Sequence, residues 1–174
     1  MRSSLARLAV LLGCFFFLSI GAPAQTGVYA TFSASDYNVP NVNWQYGPSF
    51  GLYSDFLHLP FVGAGFDARA TLLGSGTTKI YSGFAGPHVQ FHPAILPMKP
   101  YVEALVGASQ VNIGQGVAAT NQTAFTYEGV VGLDWTILPR IDWRVAEFSY
   151  QKFTNLGANV TPRTLSTGIV VRLP

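Results

Sequence analysis

The stretch Ala124–Leu138, AFTYEGVVGLDWTIL, divides into two faces at a period of two residues. Phe125, Tyr127, Val131, Leu133, Trp135 and Ile137 share one face with Gly129, while Thr126, Glu128, Gly132, Asp134 and Thr136 share the other with Val130. Successive side chains on a β-strand point to opposite sides, so this pattern predicts a strand with one apolar and one polar or small face. At roughly 3.3 Å per residue the run from Phe125 to Ile137 reaches about 40 Å, and tilted by about 45° it crosses the ~30 Å hydrocarbon core of a bilayer. Strands of soluble domains are commonly about half that length. A strand this long and this one-sided predicts a wall whose apolar face meets lipid.

The rest of the chain supplies partners. Alternation predicts strands over Thr26–Ser35, Tyr46–Leu57, Phe61–Leu73, Lys79–His92, Tyr101–Asn112, Ile141–Phe153 and from Arg163 onward. In the fourth of these Phe84 is out of step with its neighbours. In the strand from Ile141 the phase slips near Val145-Ala146, where one extra residue restores both faces, as a β-bulge does. With the opening stretch as strand six the count is eight. Connections after strands one, three, five and seven are expected to be mostly long and polar, for example Asp36–Gln45 and Ile113–Thr123. Those after two, four and six are shorter and proline-bearing, with Pro93–Pro100 read as a turn because proline cannot sit mid-sheet. The expected architecture is all-β: an eight-stranded antiparallel up-and-down transmembrane β-barrel over residues 25–174.

Residues 1–24 read as an export signal. Arg2 and Arg7 precede an apolar run from Leu8 to Ile20, then Ala22-Pro23-Ala24 provides an A-x-A cleavage site. The run is shorter than the ~20 residues of a spanning helix. The ten Lys and Arg fall to eight when Arg2 and Arg7 leave, against eight Asp and Glu, so the exported chain is neutral and carries no basic patch for nucleic acid. The only cysteine, Cys14, leaves with the leader, so the exported chain forms no intramolecular disulfide. A chain that is 49% hydrophobic and 10% charged, with no long apolar segment after the leader, fits a closed barrel, since lipid tolerates only helices and closed barrels.

Parity places Asp55, Asp67, Arg69, Glu103, Glu128, Asp134, Asp142, Arg144, Glu147 and Arg172 on the inward face, with seven acids against three bases. A charge facing lipid at mid-depth costs roughly 2–4 kcal/mol, whereas inside it can pair. A secreted lipocalin-like ligand binder is expected to show the reverse, an apolar lumen and a charged exterior. Eight strands enclose just enough room for side chains, so a packed polar plug is the first expectation and a narrow water or proton path the second. Trp135 and Trp143 at one end, with Tyr46, Phe125, Tyr150 and Phe153 at the other, are expected to form two aromatic girdles.

The leader, the eight alternating strands and the terminal TLSTGIVVRLP together make the chain similar to the small outer-membrane β-barrel family of the OmpA and OmpX transmembrane-domain kind. The resemblance covers Thr26 to Pro174 and lies in pattern. It departs at the end, where such proteins commonly finish in an aromatic residue and this chain finishes Leu173-Pro174. The resemblance implies a Gram-negative cell outer membrane, contact with outer-membrane lipid, insertion by the barrel-assembly machinery, and structural or surface-interaction roles. Some barrels of this kind modify lipid A, a chemistry that takes a histidine base, a serine nucleophile and an orienting acid. His58 and His92 fall at turns and His88 shares the inward parity with Gln90, with no serine two residues after a histidine, so no enzyme is expected. Gly114-Gln-Gly116 lacks the strand-to-helix setting of a phosphate loop. No cofactor and no metal site is expected. The loops Asp36–Gln45, with Tyr37 and Trp44, and Asn155–Pro162 are the expected contacts for an extracellular partner.

Overall fold

Alternation over the whole chain produces eight strands in the computed structural model, which describes residues 25–38, 44–76, 78–93, 95–113, 120–154 and 160–173. The expected leader, Cys14 and the Gly114-Gln-Gly116 segment lie outside the described residues. The strands are β1 (Gln25–Asp36), β2 (Gln45–His58), β3 (Val62–Ser75), β4 (Thr78–Phe91), β5 (Met98–Ile113), β6 (Thr120–Leu138), β7 (Ile141–Phe153) and β8 (Arg163–Arg172). Each pairs antiparallel with its sequence neighbours, and β8 pairs with β1, which closes the barrel. Closure matters in lipid because a sheet edge would leave backbone N–H and C=O groups without partners. Among the described residues no helix is long and apolar enough to cross a membrane. The short connections after β2, β4 and β6 share one end, the turn side; the other end is the loop side.

The outer wall is apolar. Phe66, Val131 and Leu165 are 55%, 53% and 56% exposed, too much large hydrophobic surface for water and suited to lipid. The outward-facing Lys79, Lys152 and Arg163 sit at the loop-side ends of their strands, clear of mid-depth. Trp135, Trp143, Tyr46, Phe125 and Tyr150 are all exposed at strand ends, as girdle residues must be. Phe153 departs from this expectation. It is 5% exposed and joins Tyr37, Leu73, Ile80 and Ala124 in an apolar cluster inside the loop-side mouth, with Val111 and Val160 against it. Tyr37, expected on a contact loop, is likewise buried, its ring 6.4 Å from that of Phe153. Burial raises its phenol above the usual tyrosine value, since desolvation disfavours the phenolate.

Other departures concern where strands begin. The β3–β4 connection is a tight hairpin, not a long loop: β3 ends at Ser75, β4 starts at Thr78, and Gly76 takes the left-handed φ of 59° that glycine adopts without Cβ strain. β5 begins at Met98, inside the segment expected to be a turn, and β6 begins at Thr120, inside the expected loop. Phe84 has not slipped phase. It points inward, where it packs with Tyr101, Leu105 and Val130.

The bulge in β7 is present. Leu133 pairs with Ala146 but Asp134 pairs with Arg144, leaving Val145 as the extra residue, and the β8 side shifts register over the same segment. Residues three apart on a regular strand face opposite ways. The bulge therefore turns both Arg144 and Glu147 inward, which the interior charge network requires.

Candidate functional site: a charge network across the lumen

Two guanidiniums organise the interior. Arg69 on β3 donates through Nη1 to Glu147 Oε1 at 2.9 Å, through Nε to Asp67 Oδ1 at 3.3 Å, and through Nη2 to Glu103. β3 and β7 are four strands apart in a ring of eight, so the Arg69–Glu147 pair spans the lumen. Arg144 donates through Nε and Nη2 to the two oxygens of Asp134 at 3.0 and 3.3 Å, and through Nη1 to Glu147 Oε2 at 2.9 Å. Its planar guanidinium lies between two rings, 4.2 Å from the centroid of Tyr29 and 4.5 Å from that of Tyr101. Arginine suits this position because it offers a rigid fork of donors and a face that stacks on aromatic rings.

Four central carboxylates thus share two arginines. The excess negative charge is met by neutral donors, one to each acid. Tyr29 Oη donates to both oxygens of Asp67 at 2.9 Å, Tyr101 Oη to Glu147 at 2.6 Å, and Gln90 Nε2 to Asp134 at 3.5 Å. His88 Nδ1 lies 3.0 Å from Glu103 Oε1. A buried acid with both a cation and a second donor is better satisfied than one with a cation alone.

The remaining charges lie nearer the ends. At the turn side Asp142 bridges Lys99 Nζ at 3.0 Å and Arg172 Nε at 3.0 Å. Toward the loop side Glu128 accepts from Gln151 Nε2 at 3.0 Å. A hydroxyl layer lies there too, with Ser33 Oγ 2.9 Å from both Ser49 and Ser166, and Thr164 donating to Ser35 at 2.9 Å. Asp55, fully buried on β2, has no hydrogen-bond partner on either oxygen. His92, just beyond β4, is held below the ordinary histidine value by burial and then by the Lys99 charge.

All ten residues placed on the inward parity therefore have side chains on the barrel interior or at its turn-side mouth, and nine of them join one another or a neighbouring donor. Six contributors lie outside that set, among them Gln90 and Gln151, which share the inward parity and donate to Asp134 and Glu128. Lys99 was hidden by the assumption that Pro100 closes a turn. His88 shares the inward parity but had no visible partner. Tyr29 and Tyr101 read as part of a polar face without a role. Among the described residues no group of three His, Cys, Asp or Glu side chains is placed to hold a metal ion.

The tyrosines occupy their positions because a glycine stands opposite. In the cross-strand register Tyr29 faces Gly51, Tyr53 faces Gly27 and Tyr101 faces Gly132. A Cβ on Gly132 would lie 2.3 Å from the Tyr101 ring, and one on Gly51 would lie 2.3 Å from that of Tyr29. Gly132→Ala is therefore expected to push Tyr101 off Arg144 and destabilise the barrel by about 1–3 kcal/mol, the usual cost of overpacking. Gly129→Ala, on the outer face of the same strand with nothing within 4 Å, is expected to be neutral or slightly stabilising. Urea unfolding of the two refolded variants measures the difference.

A closed ring of eight strands, apolar outside and cross-linked by charge inside, is a narrow architectural class. No protein-family model matches the chain, and no curated protein matches it in sequence. Solved structures match over most of its length. Neisserial surface protein A, NspA, superposes with a TM-score of 0.64 at 17% identity, covering 86% of this chain and 97% of that one. The chain has the fold of the small outer-membrane β-barrels. OprG, an outer-membrane protein of Pseudomonas aeruginosa, matches with a TM-score of 0.59 at 10% identity, over 86% of this chain and 96% of its own. The attachment invasion locus protein Ail of Yersinia pestis matches with a TM-score of 0.56 at 16% identity, over 86% and 97%. At such identities the small-barrel fold is shared through its alternation and closure, with few residues in common.

Proposed function

We propose that this chain is an outer-membrane barrel with a structural or surface-contact role, not an enzyme, and that its interior is a plug. The observation that carries the reading is the Arg69–Glu147 and Arg144–Asp134 network, which ties opposite walls together across the lumen. An apolar layer of Tyr37, Leu73, Ile80 and Phe153 lies above it at the loop side, where a water path would have to emerge. His88 has carboxylates, not a serine, as its partners, so a serine nucleophile with a histidine base has no support there. Residues 1–24 act on this reading as the export signal, and the barrel-assembly machinery inserts the exported chain.

Contacts with other molecules then fall to the loop-side end, where exposed Trp44 precedes β2. Ail, a small barrel of the same fold, has been solved in complex with the heparin analogue sucrose octasulfate. The 155–159 part of the second expected contact loop lies outside the described residues.

Two measurements test the proposal. Cell fractionation followed by a heat-modifiability gel is expected to place a folded, faster-migrating band in the outer membrane; a soluble periplasmic product would overturn the assignment. Planar bilayers with refolded protein are expected to show no discrete conductance, and reproducible single-channel steps would replace the plug with a pore. Lipid A from expressing cells is expected to keep all its acyl chains by mass spectrometry.

A further inference from the structure

All three histidines of the chain lie toward the turn side: His58 at the end of β2, His88 on β4 and His92 just past β4. His88 is the deepest, with no exposed surface. Its Nδ1 is 3.0 Å from Glu103 Oε1, and an ionised carboxylate can only accept, so Nδ1 carries the proton and donates. The other ring nitrogen, Nε2, is then a lone pair. It has no hydrogen-bond partner, and it faces Asp55 Oδ1 at 4.0 Å.

Two acceptors thus confront each other across a gap with no donor between them. Both Asp55 oxygens lack partners. Buried polar atoms in native proteins are overwhelmingly satisfied, so this cluster of orphans at one spot needs a missing component. A single proton on Nε2 supplies it. The imidazolium would then donate to Glu103 and pair with the Asp55 carboxylate, which comes into hydrogen-bond reach by closing the 4.0 Å gap by about 1 Å, so one ring on β4 would hold carboxylates from β2 and β5.

We propose that Asp55, His88 and Glu103 form a one-ended proton-binding site, filled from the turn side when that side is acidified. Solvent gives up a proton, an Nε2–H bond forms, and the charge of the triad falls from two negative to one negative. The surroundings limit where that proton can go. Tyr53 stacks on the His88 ring at 5.0 Å and 17°, and Tyr101 lies on its other flank at 5.6 Å. Behind Glu103 stands Arg69, a permanent cation that does not relay a proton. Beyond Arg69 lie the serine and threonine hydroxyls and then the apolar layer that closes the loop-side mouth.

Entry lies the other way. A Cβ built on Gly63 would come within 2.9 Å of Asp55 Oδ2 and 3.0 Å of His92 Cε1, so the absent side chain leaves Asp55 and the partly exposed His92 sharing one space. His58, Lys99 and Arg172 are further charged or titratable groups on this side, with Asp134 and Asp142 on the opposite wall. The site stores a proton and does not conduct one across the barrel.

The test is ring 15N and 1H NMR of the refolded barrel in nanodiscs, with histidine-labelled protein titrated from pH 8 to pH 5. Wild type is expected to develop a downfield His88 Hε2 signal that exchanges with water at least tenfold more slowly than those of His58 and His92. Asp55→Asn is expected to abolish that protection, while His92→Gln leaves the final state unchanged. A His88 Nε2 still unprotonated at pH 5 in wild type would overturn the proposal, and needs no variant to fold. So would an equally protected Hε2 in Asp55→Asn, which would assign the gap to an ordered water. Addition of one equivalent of Zn2+ at pH 8 is expected to leave the His88 signals in place; their selective loss would make the missing component a metal.

Discussion

Arg144→Met is expected to destabilise the folded barrel by about 3–5 kcal/mol, the cost of removing one partner from a buried ion pair. The side chain is fully buried, holds both oxygens of Asp134 and one of Glu147, and fills the slot between Tyr29 and Tyr101. Methionine fills the slot but leaves two acids short of a cation in a volume that water cannot easily enter. Arg69 cannot compensate, because it is already committed to Asp67, Glu103 and Glu147. The double variant Arg144→Met with Asp134→Asn is expected to recover about 1–3 kcal/mol of that loss, since the orphaned charge is removed with its partner. Urea midpoints of the single and double variants, refolded into the same vesicles, measure the coupling. Equal midpoints for wild type and Arg144→Met would mean that the network is hydrated and contributes no cross-lumen restraint.

Val131→Arg is the complementary prediction, on the other side of the same wall. Val131 is 53% exposed on β6, outward, between Val102 on β5 and Phe148 on β7. Arginine there is expected to cost about 2–4 kcal/mol in a bilayer, with a reduced fraction of heat-modifiable protein. Thr123→Arg, eight positions nearer the loop side on the same exposed parity, is expected to cost about 0–1 kcal/mol, because the penalty fades toward the interface. The depth dependence is the informative part. A soluble barrel would tolerate both substitutions alike, so equal midpoints in vesicles would remove the lipid-facing assignment.

Much of the wall was legible before any coordinates. Alternation in β6 identified its outer face residue by residue, and the phase slip in β7 located the bulge near Val145-Ala146. Phe153 reads as a girdle residue because aromatics at strand ends ordinarily meet the interface, and Tyr37 as a contact residue because its segment is polar and proline-bearing. Parity puts Phe153 inside, but an inward aromatic looks wrong when the lumen is taken as uniformly polar. In fact the lumen is layered, with an apolar mouth, hydroxyls beneath it and charge at the centre, and the layer a residue meets depends on its depth. Phe84 differs again: it pairs across the register with Arg69, so its apolar cluster with Tyr101, Leu105 and Val130 lies on one wall at the depth of the charges. Lys99 was lost to a rule about proline that holds within a sheet but not at the first residues of a strand.

By itself the sequence determined the architecture and the sidedness of nearly every strand. A period of two is a local property of the extended backbone, and lipid outside with a polar interior sorts side chains by parity alone. Only the tertiary structure decided which inward groups meet. Arg69 finds Glu147 78 positions away because closure brings β3 opposite β7, and Tyr101 finds room because the register sets Gly132 beside it. Register and closure are global quantities, the sum of every turn, bulge and strand length around the ring. Asp55 shows the limit most plainly: the alternating pattern says that it points inward, but only the closed barrel sets it 4.0 Å from a histidine nitrogen with no donor between them.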